Sequence, residues 1–242
     1  MEQNKLREAT LTAAAGTDDL KRIFQDRKRT NILHKIEQQT LSFLVTRIPK
    51  SITSDMLTYI GTFGSMMVLA GFILANYQND RNYLLLGVFG LAVNWFGDSL
   101  DGRIAYYRNT PRKWYGFSLD IIMDWVSTVL IGLGYLVYAQ KAYELIAFAF
   151  VVLYGWAMII SQLRYKITDI YSIDSGLVGP TEIRIILALI FVLEVAFGGL
   201  IEYFATGICI TLFIINIIDT RKLLKLGDIR DDMERKVKNS AA

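Results

Sequence analysis

An all-α integral membrane protein, with six transmembrane helices and an N-terminal amphipathic surface helix, is the architecture this sequence predicts. Three observations carry that expectation. Hydrophobic residues make up 53% of the 242 positions and the mean hydropathy is positive, yet charge gathers at the two ends and in a few short segments. Such a partition suits a bilayer better than water. Apolar stretches of about 20 residues, the length a helix needs to cross a hydrocarbon core, recur at 55–77, 83–107, 116–139, 142–165, 181–203 and 205–222. The three prolines, Pro49, Pro111 and Pro180, all fall at the borders of these stretches or in loops, where they delimit helices rather than interrupt them.

Taken in order, residues 1–30 are polar and charged, with no apolar core of a signal peptide, so a cytoplasmic and disordered segment is expected. Over 31–48, Ile32, Leu33, Ile36, Phe43 and Leu44 share one helical face while Lys35, Glu37, Gln38 and Gln39 lie elsewhere. That pattern predicts a juxtamembrane helix lying on the cytoplasmic surface of the bilayer, with His34 as a surface residue. The membrane domain occupies 49–222, and 223–242 alternates charges as a cytoplasmic tail. Ten Lys or Arg precede the first span, Arg108, Arg112 and Lys113 separate spans two and three, Arg164 and Lys166 follow span four, and a basic run from Arg221 to Lys238 follows span six. The opposite loops carry Arg81 and Lys141. The positive-inside rule then places both termini on the cytoplasmic side of a multi-pass inner or cell membrane. The net charge of +3 is accordingly a topology signal, and no nucleic-acid partner is expected. Cys209, alone in the sixth span, is read as a packing residue.

Chemistry enters where the second span stops being apolar. It reads Asn94-Trp95-Phe96-Gly97-Asp98-Ser99-Leu100-Asp101-Gly102-Arg103-Ile104-Ala105, and the third span opens Gly116-Phe117-Ser118-Leu119-Asp120-Ile121-Ile122-Met123-Asp124. Asp98 and Asp101 are three residues apart and Asp120 and Asp124 four, so each pair projects from one face of its helix. Spans joined by a short loop are antiparallel neighbours, which lets the two faces meet. Charge at the level of a span costs at least about 2.5–3.5 kcal/mol per residue at the bilayer centre and less near its ends, so a cation is expected among the four carboxylates. Oxygen ligands suit Mg²⁺, Mn²⁺ or Ca²⁺, and no Cys/His cluster competes for zinc. Gly102 and Gly116 leave room for a bulky ligand to approach backbone, and Ala105 extends that small face by one turn.

These residues resemble the signature of the CDP-alcohol phosphotransferase family, D-x-x-D-G-x-x-A-R followed after eight or nine residues by G-x-x-x-D-x-x-x-D. Asp98, Asp101, Gly102, Ala105, Gly116, Asp120 and Asp124 each fill a signature position, with nine residues between Tyr106 and Gly116. Tyr106 stands where the family has arginine, leaving Arg103 or Arg108 to supply that charge, or a different hold on the nucleotide phosphate. The run from Pro49 to Thr58 resembles the Pro…Pro-Asn-x-x-Thr start of the family's first span, with Ser54 and Asp55 differing. The resemblance implies a six-helix, dimeric membrane enzyme with a cytoplasmic-facing site and two metals, Mg²⁺ or Mn²⁺. Asp98, Asp101 and Asp120 would ligate them, and Asp124 would share in ligation or act as base. It also implies that Asp98, Gly102, Ala105, Gly116 and Thr58 meet the CDP moiety.

A second polar cluster joins the fourth and fifth spans, where Arg164, Lys166 and Arg184 are candidates for binding an acceptor phosphate and Glu182 is placed to orient Arg184. Glu194 and Glu202 lie nearer the far leaflet, the latter expected to reach the outer surface. The expected reaction moves a substituted phosphate from a CDP-linked donor, CDP-diacylglycerol by preference, to an alcohol with release of CMP. The alternative within the same chemistry moves a phosphorylated head group from a CDP-linked small alcohol to diacylglycerol or ceramide. A different class, a non-catalytic metal-binding membrane protein or transporter, needs carboxylates distributed along a path through the bilayer, whereas these gather near one side.

Overall fold

The computed structural model describes residues 33–168 and 179–240. Within them the secondary structure is helical: α1 (His34–Val45), α2 (Ser54–Gln78), α3 (Leu84–Tyr107), α4 (Lys113–Tyr138), α5 (Glu144–Thr168), α6 (Pro180–Phe197) and α7 (Ile201–Ser240), with single 3₁₀ turns at Arg81–Tyr83 and Lys141–Tyr143. Five of these are long and apolar enough to cross a membrane, namely α2, α3 with its 3₁₀ turn, α4, α5 with its turn, and α7. The protein is therefore multi-pass. The fifth expected span, 181–203, corresponds to α6, which is not among these five; it has 18 residues and carries Glu182, Arg184 and Glu194.

Local chemistry explains the boundaries. Thr53 caps α2, its hydroxyl accepting the Met56 N–H at 3.2 Å, with Asp55 in the first turn where the helix dipole favours an anion. Asn79 closes the same helix in the left-handed region at φ 52°. Pro180 begins α6, and the Glu182 carboxylate reaches back to the Gly179 N–H at 3.0 Å. The fifth expected span was drawn to residue 203, but α6 stops at Phe197 and the chain turns through Gly198 and Gly199, at φ 73° and 71°. Glu194 makes that turn: it accepts the N–H groups of Gly199, Leu200 and Ile201 at 2.9, 2.7 and 2.9 Å, and the Tyr138 hydroxyl at 3.0 Å. Glu202, expected at the outer surface, is instead buried in the first turn of α7. Helix α7 then continues unbroken from the apolar span into the charged tail.

The tightest packing is between α2 and α3. A Cβ at Gly64 would lie 2.4 Å from the Asn94 nitrogen, and one at Gly97 would lie 2.3 Å from the Gly61 nitrogen. Backbones meet directly there, the usual means of close helix association in a membrane. Beyond this seam, towards the Glu194 turn, Phe72 packs its ring against Phe191, Tyr138 and Tyr135 at centroid distances of 5.0, 5.7 and 6.3 Å. At the opposite end α1 contributes Leu41 and Val45 to a cluster with Leu57, Leu100 and Ile104.

The face that α1 buries differs from the expected one. Glu37, Leu41 and Val45 are inside, whereas Ile36 and Phe43 are exposed. The reason is a charge pair: Glu37 meets Arg103 of α3 at 3.5 Å, which turns the Glu37-Leu41-Val45 stripe, spaced by one helical turn, onto the bundle. Ile32, part of the expected apolar face, and residues 1–30 lie outside the described residues.

Candidate functional site

The α2–α3 seam sets the level of the acidic residues on α3 against α2, and α4 returns antiparallel beside them. Three of the four aspartates converge: Asp98, Asp120 and Asp124 each offer a carboxylate oxygen, all within 4.8 Å of one another. Arg184 of α6 joins them. Its Nη2 donates to Asp98 Oδ2 at 2.6 Å and its Nε to Asn94 Oδ1 at 2.7 Å. Asn94 in turn donates to the Gly61 carbonyl at 3.0 Å and to Ser65 Oγ at 3.1 Å. A polar relay thus ties α6, α3 and α2 together directly behind the carboxylates.

Asp101 is turned differently. Its Oδ2 accepts the Thr58 hydroxyl at 2.7 Å and its Oδ1 accepts the Gly102 N–H, so its carboxylate is anchored to α2 and to its own helix. Asp101 and Asp120 both border a pocket of about 250 Å³ whose walls also include Thr58, Gly102, Ala105, Tyr106, Gly116, Phe117 and Tyr165. A Cβ on Gly102 or on Gly116 would meet no atom within 4 Å. These two glycines face open space, in contrast to Gly64 and Gly97. Four sequence-selected small or hydroxyl residues, Thr58, Gly102, Ala105 and Gly116, are therefore brought to one cavity, with Asp101 and Asp120 on its wall.

The basic candidates do not gather. Arg184 is engaged by Asp98 and Asn94, while Arg164 pairs with Asp219 of α7 at 3.7 Å. Lys166 is exposed near the end of α5, where its carbonyl and that of Ile167 accept Arg230 Nη1 at 2.9 and 2.6 Å. Glu182 accepts the Leu33 N–H at 3.0 Å besides that of Gly179, so it holds the start of α1 against α6. The two arginines put forward in place of Tyr106 are spent elsewhere. Arg103 is buried, donating to the Ser99 carbonyl and pairing with Glu37. Arg108 donates to the carbonyls of Ile48, Pro49 and Ile52 and so clasps the α1–α2 connection. Sequence reasoning missed two residues here. Asn94 looked like an ordinary position in the span, and Arg112, read as a topology residue, lines the pocket beside Asp55. Polarity inside an apolar stretch was the available signal for Asn94.

Three carboxylate oxygens within 4.8 Å, in a described site without His or Cys, form a hard-oxygen donor set that fits a divalent cation of the magnesium type. The pocket next to them is lined for an organic ligand.

Comparison with known families agrees with this geometry. The model of the family described as CDP-alcohol phosphatidyltransferase matches residues 51–217, which takes in α2 through most of the apolar part of α7 and every residue of the pocket and carboxylate cluster. No curated protein matches the chain.

Proposed function

Since the chain belongs to the CDP-alcohol phosphatidyltransferase family, membrane transferases of phospholipid synthesis that move a substituted phosphate from a CDP-alcohol to an alcohol with the help of divalent metal, we propose that its donor is CDP-diacylglycerol and its acceptor a small soluble alcohol. The observation that supports this reading most is the convergence of Asp98, Asp120 and Asp124 beside the pocket bordered by Asp101, Gly102 and Gly116.

Asp98, Asp101, Asp120 and Asp124 hold two Mg²⁺ or Mn²⁺ ions in this proposal. When bound, such ions supply neutralisation of the diphosphate and of the departing CMP. The chain's own residues do the rest. Gly102, Ala105 and Gly116 admit the CDP moiety, and Thr58 fixes the Asp101 carboxylate. Arg184 orients Asp98 from behind. Asp124 accepts the proton of the acceptor hydroxyl as that oxygen attacks the phosphorus nearest the diacylglycerol. The bond from phosphorus to the CMP oxygen breaks in the same displacement, and CMP leaves with the electron pair. General-base help of this kind contributes about 10²–10⁴-fold.

The same proposal extends to topology. Helix α6 also crosses the membrane, which makes six spans, its three charged residues engaged by protein partners or buried within the bundle, and both termini and the site face the cytoplasm. Residues 1–30 form a polar cytoplasmic segment and 223–242 a cytoplasmic tail. Ile36 and Phe43, exposed on α1, seat that helix in the membrane interface, and the enzyme works as a homodimer.

The test is CMP release by the purified, detergent-solubilised protein. CDP-diacylglycerol and CDP-choline or CDP-ethanolamine are offered separately with pooled acceptors, Mg²⁺ or Mn²⁺, and an EDTA control. CMP that depends on metal and on CDP-diacylglycerol is expected. Release from the CDP-linked small alcohols alone reverses the direction of transfer, and no release from folded protein refutes the reading.

A further inference from the structure

Three positions depart from the family pattern in this chain, Ser54, Asp55 and Tyr106, and all three line the same pocket. The lining carries the carboxylates of Asp55, Asp101 and Asp120 and the cations of Arg112 and Lys113. A nucleoside diphosphate entering such a wall is drawn in more strongly where a side-chain cation meets its phosphates besides the metal ions. Arg103 and Arg108 do not provide it, since the first is buried against Ser99 and Glu37 and the second clasps the backbone of Ile48, Pro49 and Ile52.

Arg112 is differently placed. Its side chain is 52% exposed on the pocket wall, and Nη2 pairs with Asp55 Oδ1. The guanidinium lies over the Tyr115 ring, 4.1 Å from its centroid, and the Tyr115 hydroxyl reaches Asp55 Oδ2 at 3.5 Å. A long, flexible cation is thereby held in one orientation by a carboxylate below and a ring face beside it, which reduces the entropy lost on binding. A guanidinium has five N–H donors in a planar fork, so an ion pair through one nitrogen uses only part of its capacity, and phosphate oxygens fit the rest of that fork.

We infer that Arg112 is this chain's clamp for the donor's diphosphate, with Asp55 and Tyr115 as the residues that position it, and that it takes over the charge which Tyr106 lacks. This rests on reading the pocket as the CDP-donor site. The pair Asp55–Arg112 then accounts for a carboxylate on the wall of an anion site. The carboxylate at 55 costs affinity for an anion unless an arginine covers it, and the arginine at 112 is held in place by that carboxylate.

The experiment measures binding of CDP, and of cytidine for comparison, to the purified full-length protein in detergent with Mn²⁺. It is paired with KM values for donor and acceptor in the CMP-release reaction. Arg112→Ala is expected to weaken CDP roughly ten- to a hundredfold and to raise the donor KM in parallel, while cytidine binding and the acceptor KM stay unchanged. Arg112→Lys recovers part of the loss, because it restores charge without the fork. Tyr106→Arg introduced on the Arg112→Ala background recovers most of it, which a merely structural ion pair does not allow. CDP affinity unchanged in a folded Arg112→Ala protein, equal losses for CDP and cytidine, or no recovery from Tyr106→Arg overturns the clamp while leaving the phosphotransferase reading intact. A folded wild-type protein that neither binds CDP nor releases CMP overturns that reading and the clamp with it.

Discussion

Ten residues apart on α6, Arg184 and Glu194 show two ways of keeping charge inside an apolar bundle. Near the Gly198 turn, the single Glu194 carboxylate collects three backbone N–H groups and a tyrosine hydroxyl from the protein. Around Arg184, three carboxylates are brought within 4.8 Å of one another, and one of them, Asp98, pairs with the guanidinium. The first arrangement is complete in itself and turns the chain. In the second, negative charge is concentrated, and that arrangement is suited to receiving a cation. A carboxylate inside the bundle thus points to a cation site where the fold gathers several of them.

Substitution at the two regions separates these roles most sharply. Asp98→Asn, Asp120→Asn and Asp124→Asn are each expected to lower CMP release by at least about 10²-fold with unchanged elution and melting of the detergent-solubilised protein. Glu194→Gln is expected to leave activity per folded molecule intact. Full activity in the aspartate variants sinks the metal-site mechanism.

The glycines provide a second contrast. Gly64→Val and Gly97→Val force a side chain into the facing backbone and are expected to destabilise by about 3 kcal/mol or more, visible as loss of folded protein. Gly102→Val and Gly116→Val fill only the pocket, so the protein stays folded and CDP binding is lost. Equal stability of all four variants would disprove the backbone-to-backbone seam. Next in size, Glu194→Ala strands the N–H groups that start α7 and is expected to cost about 2–4 kcal/mol, read from the melting temperature in detergent. The smallest effect is expected for Thr58→Val, which removes one hydrogen bond to Asp101 and weakens donor binding about fivefold. A change in acceptor KM instead would relocate Thr58 away from the donor side.

Much of this site was legible beforehand because its parts are local. The spacing of Asp98 to Asp101 and of Asp120 to Asp124 places each pair on a helix face whatever surrounds it, and Gly102 and Gly116 are visible as small residues beside them. What stayed hidden depended on neighbours distant in sequence. The fate of Glu37 is decided by Arg103, 66 residues away, and this rotates α1 so that Ile36 and Phe43 face outward. Arg108 and Arg112 look alike as loop cations, yet one finds the carbonyls that end the α1–α2 connection and the other finds Asp55.

By itself the sequence determined that the protein is a helical, multi-pass membrane protein, where most of its helices begin and end, and which aspartates share a helix face. Hydropathy over a span's length and the 3.6-residue period are properties of contiguous residues. Only the tertiary structure decided that Asp101 turns to Thr58 while the other three aspartates converge, that Arg184 joins Asp98, that Glu194 caps α7, and that Arg112 is the arginine on the pocket wall. Those outcomes follow from which helices pack together and at what height, and the glycine seam between α2 and α3 sets that height by letting two backbones touch.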